Sequence, residues 1–337
     1  MANYSKDENL KTMTDFLCSS ELTDGIHGEL RWAAALNIFL SFTAFIGNAI
    51  FLAALNKVST LHPPSKLLFR TLATTDLCVG IISQPLTAVA LMPEVKKNVH
   101  VCRHTSIVRF LISYALCMVS LLTSTAINVD RLFALSLRIR YKQLVTLKRT
   151  YVIVAIFWVI SIAFTVLSLF INSIRAVYWG VVLASCLTIS AFSYGKIVFV
   201  LRRSQHQFGP RALWQRQPNQ TVQLNATLYR KTVYTILWVQ MALIICYLPY
   251  TIITLLLSNR TGRPSAWLLV AWRYAGTLVY FNSSLNPVLY CWKMRAVKNA
   301  MNETFQQTFC WLGQIRGKLN NVFVVNGEQQ TTASSSS

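Results

Sequence analysis

Seven long stretches of the chain run almost free of charge: residues 32–55, 71–93, 110–129, 150–174, 176–195, 232–259 and 264–292. Five contain no charged residue, the second holds only Asp76, and the seventh only Arg273 near one end. None shows the in–out alternation of a barrel strand. A bilayer core takes roughly 20 apolar residues per helix, because backbone groups find no water there and must be satisfied within the segment. The pattern predicts an all-α membrane protein, a seven-transmembrane helix bundle.

Composition sharpens this. Of the 337 residues 54% are apolar and 13% charged, about half the charged share of a soluble domain. The formal charge of +21 does not indicate nucleic acid, whose binders cluster basic residues without apolar spans between them. Instead Lys and Arg report orientation. With the N-terminus outside, 21 fall in inner segments and 11 in outer ones. Residues 1–31 form a polar leader with Asp7, Glu8, Asp15, Glu21, Asp24 and Glu29 and no apolar run, so no cleaved signal peptide is expected. Residues 32–292 make the membrane domain, with almost no outer link between spans four and five. Past it, Val297, Met301, Phe305 and Phe309 recur every four residues beside Lys293, Arg295 and Lys298. That spacing predicts an amphipathic inner-leaflet helix over 293–311 lying against membrane lipids. Residues 312–337 read as a disordered tail whose terminal Ser/Thr run is a target for phosphorylation. Cys310 is either a palmitoylation site or a plain free cysteine. The outward sequons Asn3-Tyr4-Ser5 and Asn259-Arg260-Thr261 are candidate glycosylation sites.

A few polar residues stand out against this background. Asp76 lies mid-span, where a carboxylate is costly and takes partners from the bundle interior. Ser120 in span three and Asn282, Ser283 and Asn286 in span seven lie at similar depth. One carboxylate among hydroxyl and amide oxygens suits a small hard cation; a structural hydrogen-bond hub is the other reading. Asp130-Arg131 closes span three at its inner end. Pro249 and Pro287 lie deep in spans six and seven, where each removes a backbone hydrogen bond and kinks its helix.

In this order the residues resemble the rhodopsin-like (class A) G protein-coupled receptors. The matching pieces are Gly47-Asn48, Leu72-Ala73-Thr74-Thr75-Asp76, the run from Ser120 to Asp130-Arg131, Trp158, Tyr194, Cys246-Tyr247-Leu248-Pro249, and Asn282-Ser283-Ser284-Leu285-Asn286-Pro287-Val288-Leu289-Tyr290. The resemblance implies a sodium pocket at Asp76, Ser120, Asn282, Ser283 and Asn286, and an activation switch of Asp130, Arg131, Tyr194, Tyr247, Pro249, Pro287 and Tyr290. It implies no enzymatic activity and no cofactor beyond sodium. Its partners would be a heterotrimeric G protein, with arrestin and receptor kinases, at the plasma membrane. Departures from the family pattern matter too. Leu132 follows Arg131 where the family has Tyr, Tyr247 replaces a Trp, Leu243 a Phe, and Cys186 falls near a missing proline. Ser124 sits in a layer that is apolar in the family, and Tyr229-Arg230-Lys231 offers Arg131 no acidic partner. Both changes weaken the resting state, so signalling without ligand is expected. The absent span-five proline and the vestigial second outer loop resemble the melanocortin–cannabinoid–adenosine-like branch.

The family's outer disulfide joins span three to the second outer loop, which has no cysteine here. Of eight cysteines only Cys18 and Cys102 lie outside by topology, so a bridge between them is expected, with free thiols or intermolecular pairing as alternatives. The outer halves offer Arg109, Ser113, Tyr114, Cys117, Tyr250, Thr254, Trp272, Arg273 and Tyr280 as ligand-binding residues. Ser113 stands where amine receptors carry Asp, and Tyr280 where opsins carry Lys. An aromatic pocket with a cationic mouth suits a lipid, an anionic small molecule or a peptide; the arginines serving lipid headgroups is the other reading. His100, Cys102 and His104 lack a fourth zinc ligand. The rival class, a secondary transporter or proton-translocating protein, would carry several intramembrane ionisable groups or inverted repeats, whereas Asp76 stands nearly alone.

Overall fold

The computed structural model describes residue 18 and residues 25–59, 61–92, 98–137, 140–170, 172–208, 241–258, 265–293 and 297–307. Asn3, Asn259 and Cys310 lie outside the described residues, as does the Tyr194 side chain. Span one is the helix His27–Lys57, span two Pro63–Leu91, span three Val99–Leu137, span four Leu147–Phe170, span five Asn172–Phe208, span six Met241–Ser258 and span seven Ala266–Lys293. A four-residue helix, Tyr141–Leu144, occupies the inner loop after span three, and a surface helix covers 297–307. No strand occurs among the described residues.

Six of these helices are long and apolar enough to cross a membrane by length and composition. Span seven is 28 residues long, about 42 Å at 1.5 Å per residue, but its apolar run is broken by Arg273, Asn282, Ser283, Ser284 and Asn286. Side chains such as Phe39, Phe42, Val159, Phe192 and Val288 are more than half exposed, a surface suited to lipid rather than water. Span three is the central pillar, 67% buried over its apolar window, whereas span four is only 17% buried and peripheral. The helices overrun the charge-free windows. Span three starts eleven residues before 110 and continues past Asp130 and Arg131, because charged residues stop an apolar window but not a helix that emerges into the interface. Between spans four and five a single residue remains.

Span one answers the prolines of spans two and seven. In span two, residues 79–83 form a wide π turn, and the Gln84 N–H bonds the Val79 carbonyl five residues back. In that register the next donor would be Pro85, which has no N–H, so the Gly80 carbonyl is left over. The Ser41 hydroxyl donates to it at 2.6 Å. A Cβ on Gly80 would lie 3.0 Å from the Phe45 backbone nitrogen, so only glycine lets the two spans meet here. In span seven, Pro287 orphans the Ser283 carbonyl, and Asn48 Nδ2 donates to it at 3.0 Å. The proline ring packs over Gly47, where a Cβ would meet it at 3.3 Å.

The surface helix buries Val297, Ala300 and Thr304 and packs Met301 against the inner cluster of Phe51, Phe69, Leu72 and Tyr290. Phe305 is 49% exposed, since a four-residue spacing drifts around a helix of 3.6 residues per turn. At the outer end Cys18 and Cys102 form a disulfide across 84 residues, their Cα atoms 5.9 Å apart and both sulfurs packed with Trp272. The outer bridge expected from topology is therefore present.

Candidate functional site

The candidate functional residues lie in three tiers along the bundle axis. The outer tier is a cavity of about 50 Å³. It is lined by Thr87 from span two, Arg109, Phe110, Ser113, Tyr114 and Cys117 from span three, Tyr250 from span six, and Trp272, Arg273, Gly276, Val279 and Tyr280 from span seven. Eight of the nine residues expected to bind ligand are among them. Thr254 is not; it accepts a hydrogen bond from Trp272 Nε1 at 3.2 Å and so fixes the indole. That indole stacks on Tyr250, ring centroids 6.0 Å apart, and carries the Arg273 guanidinium 5.1 Å over its face. Tyr280 is tied to Thr87 across 3.1 Å. Against this frame of satisfied groups, Arg109 Nε, Arg273 Nη1 and Ser113 Oγ are buried without a partner. Two guanidinium groups facing one cavity repel each other, and an anion between them would relieve the repulsion and take the idle donors.

The middle tier is built on Asp76, which is fully buried. Its Oδ1 accepts from Ser120 Oγ at 2.9 Å and Ser283 Oγ at 2.8 Å, and its Oδ2 from Asn286 Nδ2 at 2.6 Å. Spans two, three and seven thus meet on one carboxylate. Asn282, also buried, stays off it, and its amide nitrogen has no partner. Immediately outward, Tyr247 fills the core with Cys117, Cys186, Cys246 and Leu243.

The inner tier holds Asp130 and Arg131, and the two are engaged separately. Asp130 Oδ2 accepts from Ser65 Oγ and Oδ1 from Tyr141 Oη, both at 2.7 Å. Burial, with the bond to Asp130 adding to it, pushes the Tyr141 phenol up to about 12, so at neutral pH it remains a donor. Arg131 lies 5.3 Å over the Phe69 ring, one terminal nitrogen buried without a partner. Tyr290 closes this layer, packing on Phe69 and Phe51 with centroids 4.9 and 5.8 Å away, and Ser124 lies in hydrogen-bonding reach of its phenol. Pro249 lies inside the span-six helix, where its missing N–H weakens the ladder.

Sequence reasoning missed Ser65, Phe69 and Tyr141 around the inner tier and Thr87 in the cavity. Tyr141 sits eleven residues beyond Asp130 in a polar loop, and no spacing rule brings a loop tyrosine back onto a helix end.

A model of the rhodopsin family of seven-transmembrane receptors matches residues 47–178 and 171–290. The chain belongs to that family. This rhodopsin-family receptor is similar to the QRFP-like peptide receptor of Branchiostoma floridae, 24% identical over 313 residues that cover 85% of this chain and 77% of that one. It is also similar to the probable G-protein coupled receptor 45 of Homo sapiens, 24% identical over 345 residues, with 88% and 89% covered. The adenosine receptor A2b of Rattus norvegicus is 31% identical over 129 residues, 38% of this chain and 37% of that receptor. Its relatives are receptors, not enzymes.

Proposed function

We propose that this receptor binds an extracellular, non-aminergic, anionic ligand in its outer cavity and activates a cytosolic heterotrimeric G protein through outward movement of span six. It does so as a multi-pass plasma-membrane protein with its N-terminus outside. The convergence of Ser120, Ser283 and Asn286 on Asp76 carries the reading. A buried carboxylate shared by three spans is an element whose two arrangements a ligand above and a transducer below can both bias. Sodium beside Asp76 would favour the resting arrangement, with the Ser120 and Ser283 hydroxyl oxygens as further hard ligands. The idle donors of Arg109, Arg273 and Ser113 favour a carboxylate-bearing ligand, whether lipid acid, small anion or peptide. Below, Arg131 would leave Phe69 to meet the G protein, with Tyr290 and Tyr194 moving toward it and Pro249 as the hinge. Arrestin and receptor kinases would act on the Ser/Thr tail, and the 31% identity to an adenosine receptor over 129 residues supports the resemblance to the melanocortin–cannabinoid–adenosine-like branch.

The test is nucleotide exchange on a purified heterotrimeric G protein with receptor reconstituted in vesicles. Exchange above that of empty vesicles, lost in Arg131→Ala, is the expected result. Solute or proton flux in the same vesicles without exchange would favour a transporter instead.

A further inference from the structure

A second cavity opens on the lipid-facing wall where spans three, four and five meet the inner loop. It holds about 480 Å³, within the roughly 300–1,000 Å³ of pockets that take small molecules, and is far larger than the outer one. Leu122, Val129, Phe157 and Val182 are among its apolar walls, and its rim exposes Phe133 and Ile153 at more than 40%. Its hydroxyl groups are already committed: Thr125 donates to Leu121 O, Thr150 to Thr146 O and Ser185 to Val181 O. Their hydrogens are spent on backbone carbonyls, so these hydroxyls offer the cavity no donor. Asp130 also borders it, but both its oxygens are held by Ser65 and Tyr141. Among the described residues that line the cavity, that leaves Arg149, at the inner end of span four, as the cation: one terminal nitrogen donates to Leu144 O at 2.8 Å, and its five-donor fork has further donors to offer a ligand. From Arg149 to Phe157 the span rises about 12 Å, so the charge stands at the inner interface and the apolar walls run toward the membrane centre.

We propose that this cavity is a site for a single-chain carboxylate amphiphile of the fatty-acid type, taken from the inner leaflet, with the tail between spans three, four and five and the carboxylate on Arg149. Arg149 is the one basic side chain among the described residues lining the cavity; a single guanidinium matches a monoanion in bidentate fashion, whereas a multiply charged phosphate headgroup calls for several basic side chains within the site. The site shares no residue with the outer cavity.

The experiment uses the full-length receptor in lipid nanodiscs with a palmitate probe carrying a diazirine on its chain, and maps the labelled residues by mass spectrometry. Parallel arms use the methyl ester of the probe and a lysophosphatidate analogue. Saturable labelling of cavity residues by the free acid is expected, roughly tenfold above the ester, the factor of one charge-assisted bond. Arg149→Gln, a change at an exposed position, should bring the acid down to the ester's level, and Val182→Trp should abolish labelling by filling the cavity. Labelling that does not saturate, spreads evenly over the lipid-facing surface, survives Arg149→Gln, or favours lysophosphatidate would overturn the proposal.

Discussion

Asp130 takes its hydrogen bonds from Ser65 and Tyr141 rather than from the arginine beside it, and this makes Tyr141 a testable part of the inner tier. Tyr141→Phe removes one donor from a buried carboxylate and should cost about 1–3 kcal/mol, read as a lower thermal midpoint of the purified receptor. The sign of the pH dependence follows from the raised phenol. A group whose pKa is higher in the folded state stabilises fully below its unfolded value, near 10, and loses that contribution as pH rises toward about 12. The difference between wild type and Tyr141→Phe should therefore stay constant from about pH 6 to pH 9. Ser124 is the other residue to examine, since it lies in reach of the Tyr290 phenol and stands where the family pattern has an apolar side chain. Ser124→Leu should lower ligand-free nucleotide exchange; an unchanged basal rate would remove the argument for high spontaneous activity. Asp76 was legible in the sequence because a carboxylate inside an apolar span must find partners, and its depth pointed to Ser120, Asn282, Ser283 and Asn286, all of which except Asn282 bond it. Asp130's partners were not, because Ser65 and Tyr141 reach it through tertiary packing of a loop and a neighbouring span.

Among elements, the spans themselves were readable because a run of about 20 apolar residues has few alternatives to a membrane helix. Their ends were not, since interfacial Arg, His and Asp continue a helix that hydropathy has already abandoned. The π turn of span two was equally hidden. Pro85 signals a lost bond, but whether the helix kinks, breaks or widens depends on Gly80 letting span one approach and on Ser41 taking the spare carbonyl. Span one thus serves as a donor strip for the proline sites of spans two and seven. Ser41→Ala and Asn48→Ala should each destabilise by about 1–3 kcal/mol, the cost of a buried carbonyl left unpaired. Asn48→Ala should cost more than Ser41→Ala, because Asn48 also bonds the Ala44 carbonyl of its own helix. Thermal midpoints of the two variants, compared with exposed Phe39→Leu as a lipid-facing control, check the order.

For the whole molecule, the question is how an event in the outer cavity reaches Arg131. Span three runs through all three tiers, contributing Arg109 and Ser113 above, Ser120 at Asp76, and Asp130 and Arg131 below. Span seven parallels it with Arg273, Ser283 and Asn286, and Tyr290. Both spans touch the same carboxylate at mid-membrane, so a cation held there biases both at once. If sodium binds only the resting arrangement, its effect follows mass action, and a concentration ten times its dissociation constant adds about 1.4 kcal/mol to that state, a tenfold shift. Ligand-free nucleotide exchange should therefore fall severalfold when sodium replaces an organic cation at constant ionic strength. Asp76→Asn keeps the size and the hydrogen-bonding capacity but not the charge, so its exchange rate should be flat across the same titration. Constant ionic strength separates this effect from general screening, which would act equally on wild type and variant. Equal sodium sensitivity in both would mean that the shared carboxylate is a fastener of the bundle and that no cation at mid-membrane sets the balance between its two arrangements.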